Sequence, residues 1–341
     1  HNIGLFIHNT TNYIIAYFTI SYTGRVIVPL NPRIKVNELK CTIEYCELRT
    51  IVSDSANIGL LRKNLKDYLY KIRVFNIDTL SVEYMGGDIT LLASDNSELD
   101  EVALMLHTSG SLSEPKRVML THMNLISCVE SIVKSLNITK DDRTLIALPL
   151  FLASANTSQM LAHIYIGASI VIMDAFFTAG YFFKLVERYR ITNFTGVPFM
   201  MLALIDDNNS KHRNLSSLRF ICFGGAPMPV DKIRRLITSF PYIGFVHMYG
   251  QTEASTRISH LLPEEKLKKI GSVGKPIPGM ELRLVNEDGR DAKGDVVGEV
   301  IVKGRNVMKG YYKRKELTQQ TLKNGWLYTG DLGKFDEEGF L

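Results

Sequence analysis

His107-Thr108-Ser109-Gly110-Ser111-Leu112-Ser113-Glu114-Pro115-Lys116-Arg117-Val118 is the stretch on which the rest of the chain turns. Before it, Asp100-Glu101-Val102-Ala103-Leu104-Met105-Leu106 reads as a strand, and after it Thr121-His122-Met123-Asn124-Leu125 opens an amphipathic helix. A run of small hydroxyl residues with one glycine, closed by a lysine, offers what a triphosphate needs. Hydroxyls and backbone N–H groups donate to phosphate oxygens, and the ammonium supplies a point charge. The same residues also suit an ordinary polar turn. A Walker A loop requires a second glycine where Pro115 stands and a hydroxyl where Arg117 stands, so that pattern fails twice. A dinucleotide GxGxxG fails as well, because Gly110 stands alone.

Outward from this stretch, short apolar runs alternate with amphipathic segments. Ile3–Ile7, Val26–Leu30 and Thr50–Ser53 read as strands, separated by helical patterns at Tyr13–Thr23, which stops at Gly24, and at Val36–Cys46. A further helix is expected within Asp54–Lys71, and strands at Lys71–Ile77 and Ile89–Leu92. Past the loop the alternation resumes. Strands are expected at Thr144–Leu150, Ser169–Met173, Asn193–Pro198, Leu218–Phe223 and Gly244–Tyr249, with helices at Ser127–Leu136, Ser158–Ile166, Gly180–Tyr189, Met200–Asp206 and Pro229–Phe240. Such alternation predicts an α/β fold of layered βαβ sheets, with helices between and outside them. From about Glu253 short strands with Gly and Pro punctuation take over: Glu281–Val285, Gly298–Lys303 and Trp326–Tyr328. The expected organisation is an α/β part over residues 1–255 and a smaller, barrel-like β-rich subdomain over residues 256–341.

Composition narrows the function. The 341 residues are 45% hydrophobic and 22% charged, ordinary for a globular protein with a large core. A net charge of +5 suits anionic small molecules but is too weak to argue for nucleic acid. No apolar run reaches membrane-spanning length. Cys41, Cys46, Cys128 and Cys222 form neither a CxxC pair nor a metal quartet, which favours buried structural thiols in a reducing, cytoplasmic compartment.

Four stretches fall at expected C-terminal ends of strands, where α/β sheets place ligands: residues 108–116, Gly224-Gly225-Ala226-Pro227, Tyr249-Gly250-Gln251-Thr252-Glu253 and Tyr328-Thr329-Gly330-Asp331. In this order they resemble the adenylate-forming superfamily, which includes acyl-CoA synthetases, aryl-CoA ligases, firefly luciferase and peptide-synthetase adenylation domains. Thr108-Ser109-Gly110-Ser111 with Pro115-Lys116 is similar to its phosphate loop, Gly225-Ala226-Pro227 to its adenine-site turn, and Tyr249 to Glu253 to its Y-G-x-T-E motif. Gly298-Glu299-Val300, Gly310-Tyr311-Tyr312 and Gly325 to Asp331 resemble its later motifs.

The resemblance implies a two-step ligase that uses ATP, Mg²⁺ and coenzyme A. A carboxylate attacks the α-phosphate to give an acyl-adenylate, and a thiol then displaces AMP. On this basis Thr108, Ser109, Ser111 and Lys116, with Gly110, hold the β- and γ-phosphates, Thr252 donates to the α-phosphate, and Glu253 ligates Mg²⁺. Tyr249 stacks on adenine, with Gly225, Ala226, Pro227, Met248, Gly250 and Gln251 around it, and Asp331 accepts from the ribose hydroxyls. Thr252, Glu253 and Lys116 carry the catalytic burden.

Several positions depart from the family pattern. Ser113 and Arg117 replace glycines, Leu112 a hydroxyl, His107 an aromatic and Leu152 a histidine. Arg117 is expected to face solvent. The family's hinge and mobile C-terminal domain lie beyond Leu341, so the chain is expected to be a large-domain fragment with weak ligation of its own. The segments expected to line the acid pocket, Ser154–Met160, Thr195–Met201, Phe223–Gly225 and Phe245–Tyr249, read as apolar and small, which suits a fatty or aryl acid. A carrier protein as acyl acceptor and a degenerate nucleotide binder without turnover are the competing readings.

Overall fold

The computed structural model describes residues 1–65, 71–85, 101–108, 116–207, 213–265, 268–292 and 296–341. The strand expected at Ile89–Leu92 and the loop residues Ser109 to Pro115 lie outside these. The chain forms two compact units. One comprises residues 1–122 with Tyr311–Lys313, the other residues 123–310 with 314–341.

The first unit is built on an eight-stranded sheet. Its spatial order is Gly310–Tyr311, Lys116–Thr121, Val102–Thr108, Val26–Pro29, Asn2–Phe6, Thr50–Ser53, Arg73–Asn76, Ser81–Met85. The four strands from Val26–Pro29 to Arg73–Asn76 run parallel. They are short apolar runs because their central residues, such as Leu5, Ile27 and Ile51, are fully buried. Helices Val36–Tyr45 and Ser55–Asn64 pack Leu39, Ile43, Ile58 and Leu61 into one cluster with Val28 and Ile51. The Asp54 carboxylate starts the second of these helices by accepting from the Asn57 N–H at 2.8 Å.

Lys116–Thr121 is a strand that the sequence reading does not assign; it pairs antiparallel with Val102–Thr108 and leads into the helix His122–Ser135. The apolar run Val118-Met119-Leu120 is too short to separate from a helix start by periodicity alone.

The second unit carries a seven-stranded sheet in the order Lys275–Pro276, Ser259–Leu261, Gly244–Tyr249, Phe220–Gly224, Asn193–Gly196, Arg143–Ile146, Ser169–Ile172. Its five strands from Gly244–Tyr249 to Ser169–Ile172 are parallel. Helix Val230–Ser239 joins two of them, burying Ile233, Leu236 and Ile237. A four-stranded antiparallel sheet follows, in the order Met280–Val285, Gly298–Gly304, Trp326–Gly333, Leu322–Lys323. Mixed α/β sheets with a β-rich C-terminal portion are therefore the observed fold class. One helix differs in kind from its expectation: Ser154–Leu161 is π-helical and only Ala162–Tyr165 continues as α-helix. Among the described residues no helix is long and apolar enough to cross a membrane.

Candidate active site

In the second unit, the strands Phe220–Gly224 and Gly244–Tyr249 deliver two of the expected motifs side by side, with Gly224 paired to Met248. The approach is close enough that a Cβ on Gly224 would lie 2.2 Å from the Met248 carbonyl oxygen. Gly225 then turns the chain out at φ +82°, a conformation open to glycine, and Ala226 and Pro227 are exposed beyond it. Beneath them the His247 ring stacks on Phe223 at 4.7 Å and donates its Nδ1–H to the Ser272 carbonyl at 2.8 Å. Burial holds the His247 pKa below the usual histidine range.

After Tyr249 the strand ends in a tight turn. A Cβ on Gly250 would meet the Thr256 carbonyl oxygen at 2.1 Å, so only glycine fits. Thr252–Ala254 forms a single 3₁₀ turn, in which Thr252 is half-buried and Glu253 is 8% exposed. The Gln251 carbonyl accepts from the Ala254 and Thr256 N–H groups, both at 3.0 Å, while its side-chain Nε2 is enclosed with no partner among the described residues.

Asp331 reaches the same neighbourhood from the four-stranded sheet. The pairing of Trp326–Gly333 with Gly298–Gly304 slips between Ile301↔Tyr328 and Glu299↔Leu332. Thr329, Gly330 and Asp331 thus bulge out, and a bulge re-aims the side chain it carries. Gly330 takes φ +77°, its N–H bonds the Glu299 carboxylate at 3.0 Å, and the Thr329 hydroxyl donates to the Val300 carbonyl at 2.7 Å. The Asp331 N–H in turn donates to the Thr329 hydroxyl at 3.1 Å. The Asp331 carboxylate accepts from the Tyr249 hydroxyl at 2.7 Å. Burial raises the Tyr249 pKa above the ordinary tyrosine range; the bond to Asp331 adds to the rise and the Thr329 hydroxyl opposes it. Tyr249 is therefore a fixed donor at neutral pH.

In the first unit Thr108 and Lys116 face each other as the last cross-strand pair of the hairpin. Both are half-buried, and the Lys116 ammonium lies 5.9 Å from the centre of the Tyr311 ring. Ser109, Gly110 and Ser111 lie outside the described residues. Arg117 does not face solvent as expected. It is 2% exposed and donates to the Thr42 hydroxyl at 3.0 Å. Both faces of this strand are covered at this point, with Arg117 2% exposed on one and Val118 0% exposed on the other, so an arginine here is buried whichever face it takes.

The π-helical segment Ser154–Leu161 also departs from its apolar expectation. Asn156, Thr157, Ser158 and Gln159 are all buried there, and the Gln159 amide bonds the Thr144 hydroxyl at 3.0 Å and the Leu145 carbonyl at 2.9 Å.

Among the described residues no three His, Cys, Asp or Glu side chains cluster as metal ligands. A single carboxylate such as Glu253 still fits Mg²⁺, which keeps most of its waters and shares phosphate oxygens rather than occupying a protein cage. The sequence reading quotes Thr329 and Glu299 within its motifs without giving them a holding role, and misses Ser255 and Asn306. The only local signal for Asn306 is a turn-forming asparagine soon after Gly304.

A family model described as AMP-binding enzyme matches residues 1–312. A feruloyl-CoA synthase from an Amycolatopsis species is 32% identical over 98% of the chain, and a 2-succinylbenzoate–CoA ligase from Bacillus subtilis is 31% identical over 99%. The chain spans 66% of the length of each of these relatives. The structure of an o-succinylbenzoate CoA synthetase from Bacillus subtilis, in complex with its acyl-adenylate intermediate, superposes with a TM-score of 0.87 at 29% identity, covering 100% of this chain and 85% of the other.

Proposed function

The chain belongs to the family of AMP-binding enzymes, and on that premise we propose that it activates a carboxylic acid with ATP and passes the acyl group to the thiol of coenzyme A. In the first step a carboxylate oxygen bonds to the α-phosphorus and pyrophosphate leaves. In the second the thiol sulfur bonds to the acyl carbon, its proton is lost, and AMP leaves.

The observation that carries the reading is the Tyr249–Asp331 hydrogen bond of 2.7 Å. It joins the aromatic of one motif to the carboxylate of another, and leaves the aromatic face for adenine and a carboxylate oxygen for the ribose. Gly225, Ala226 and Pro227 offer backbone to the adenine edge, with Met248, Gly250 and the unpartnered Gln251 amide beside it. Thr252 donates to the α-phosphate and Glu253 supplies the carboxylate for Mg²⁺. Bound there, Mg²⁺ would neutralise charge on the phosphates. Thr108, Ser109, Gly110, Ser111 and Lys116 take the β- and γ-phosphates, with Lys116 as point charge.

For the acid, an aryl or other functionalised substrate is favoured over a plain fatty acid. The related proteins are named for feruloyl and 2-succinylbenzoate, and a further one, from Arabidopsis thaliana and 30% identical, for oxalate. The buried polar run Asn156–Gln159 agrees with this preference. Coenzyme A is favoured over a carrier protein because these relatives are named as CoA ligases. A cytoplasmic location, where ATP and coenzyme A are supplied, fits the four free cysteines.

The test is acid-dependent pyrophosphate release by the intact gene product across a panel of aryl, dicarboxylic and fatty acids. Release with aryl acids and CoA-dependent thioester formation are expected. ATP binding without release from any acid would support the second reading, a nucleotide binder without turnover, which the departures at Ser113, Arg117 and Leu152 motivate.

A further inference from the structure

The 3₁₀ turn that carries Thr252 and Glu253 is followed by two non-glycine residues in the left-handed region, Ser255 at φ +54° and Thr256 at φ +98°. Such a pair is unfavourable, most of all for a β-branched threonine, and persists only where the surroundings over-determine it. One side chain bonds on both sides of the pair. Asn306 is 3% exposed, and its Nδ2 donates to the Ala254 carbonyl and to the Arg257 carbonyl, both at 3.0 Å. These two carbonyls flank the strained pair on either side. The Ser255 hydroxyl returns a bond to the Asn306 carbonyl at 2.7 Å, and the Met308 N–H donates to the Glu253 carbonyl at 2.8 Å. Behind the turn, the Cys128 thiol donates to the Ser255 carbonyl at 3.3 Å. The loop that presents Asn306 is itself fastened, with the Asn124 amide donating to the Arg305 carbonyl at 2.7 Å.

We propose that Asn306 is a positioning residue for Thr252 and Glu253: its side-chain amide brackets Ser255–Thr256 and so fixes where the metal-ligating carboxylate and the α-phosphate donor stand. This rests on the roles given to those two residues under the proposed function. No other side chain replaces the geometry. The amide must donate twice to carbonyls either side of a two-residue kink, and an aspartate would set a carboxylate against both of them. Loss of the bracket lets Ser255 and Thr256 relax towards ordinary backbone angles, and Glu253, two residues upstream, moves with them. A displacement of about 1 Å in such a group costs on the order of a hundredfold in function. The adenosine-binding elements, Tyr249 on its strand and Asp331 on its bulge, are not held by Asn306. The effect must therefore separate metal-dependent phosphate binding from nucleoside binding.

The experiment compares the full chain with Asn306→Ala and the milder Ser255→Ala, which removes only the bond to the Asn306 carbonyl. Calorimetry measures affinity for ATP over a Mg²⁺ titration and affinity for adenosine, which lacks the α-phosphate, without metal, with thermal unfolding alongside. The expected result for Asn306→Ala is a half-saturating Mg²⁺ concentration raised by about tenfold or more, with adenosine affinity within twofold of the parent. Ser255→Ala shifts the same way by a smaller factor, and decides the matter should Asn306→Ala fail to fold. The proposal is overturned if folded variants keep the parent's Mg²⁺ response, or if adenosine and Mg²⁺-ATP affinities fall together with thermal stability, which marks a purely structural part. A parent chain that binds ATP without any response to Mg²⁺ overturns the assignment of Glu253 itself.

Discussion

Replacing Tyr249 by Phe removes one oxygen and keeps the ring, which makes it the sharpest probe of the nucleotide reading. The Tyr249 hydroxyl donates to the Asp331 carboxylate at 2.7 Å, a charge-assisted bond. Hydrogen bonds to charged groups contribute about 1.5–3 kcal/mol. Asp331 is exposed, so water competes for its oxygens and the lower end, ~1.5 kcal/mol, applies. If Tyr249 holds Asp331 in place for the ribose hydroxyls, that energy appears as about a tenfold loss of AMP affinity. Adenine stacking on the ring is untouched, so the loss must be specific to the sugar. The assay is calorimetric titration of parent and Tyr249→Phe with AMP and with its 2′,3′-dideoxy analogue. In the parent the analogue binds more weakly than AMP; in the variant the two converge. AMP affinity within twofold of the parent, or an equal loss for both ligands, would refute the argument that the phenol orients the carboxylate.

Three further outcomes are expected from the same geometry. Gly250→Ala puts a Cβ 2.1 Å from the Thr256 carbonyl oxygen, so the backbone must move; a loss of about 3 kcal/mol, or a drop of about 6–12 °C in Tm by calorimetry, is expected. His260 is buried beside the Arg257 guanidinium, and burial first, then that charge, lowers its pKa to about 3 in the folded protein. The unfolded chain takes up this proton near pH 6.5, so the stability held by neutral His260 is full above 6.5 and falls as pH drops towards 3, by about 2 kcal/mol at pH 5; His260→Gln should flatten that slope in urea melts at pH 7 and 5, and an unchanged slope would count against it. Arg117→Met removes a buried guanidinium whose Nε has no partner and fills similar volume, so Tm should hold or rise and ATP affinity should stay within twofold; a large loss of ATP affinity would place Arg117 among the phosphate ligands instead.

Much of the fold is legible in the sequence because parallel strands buried on both faces announce themselves. Ile3–Ile7, Val26–Leu30 and Thr50–Ser53 are continuous apolar runs closed by turn residues, and each is a strand within a residue or two. The motif residues are legible for a different reason: glycines that tolerate no Cβ, such as Gly224 and Gly250, mark the strand ends beside the candidate residues. The Tyr249–Asp331 bond is not legible, because its partners are 82 residues apart and meet through a register slip that no local pattern encodes. Asn306 escapes for a related reason. A single asparagine in a loop is indistinguishable from a solvated one until the carbonyls it brackets are known. The π-helical turn at Ser154–Leu161 has the same local propensity as an α-helix, and the choice between them is made by tertiary contacts such as those of Gln159.

Arg117 is buried where its charge suggests solvent, and its neighbours explain how an arginine can stand there. A one-residue slip of a strand sends every side chain to the opposite face. In the strand Lys116–Thr121, Arg117 is held inward by the Thr42 hydroxyl while its own carbonyl accepts from the Tyr312 N–H at 2.8 Å. Both bonds resist a slip, and the register they protect is the one that pairs Lys116 with Thr108. A glycine there would leave the register to backbone pairing alone. The guanidinium thus acts as a lock, through its bulk and its one hydroxyl partner more than through its charge. That is why an apolar side chain of similar length should serve at position 117, while a short or acidic one should release the register and move Lys116 out of its pairing with Thr108.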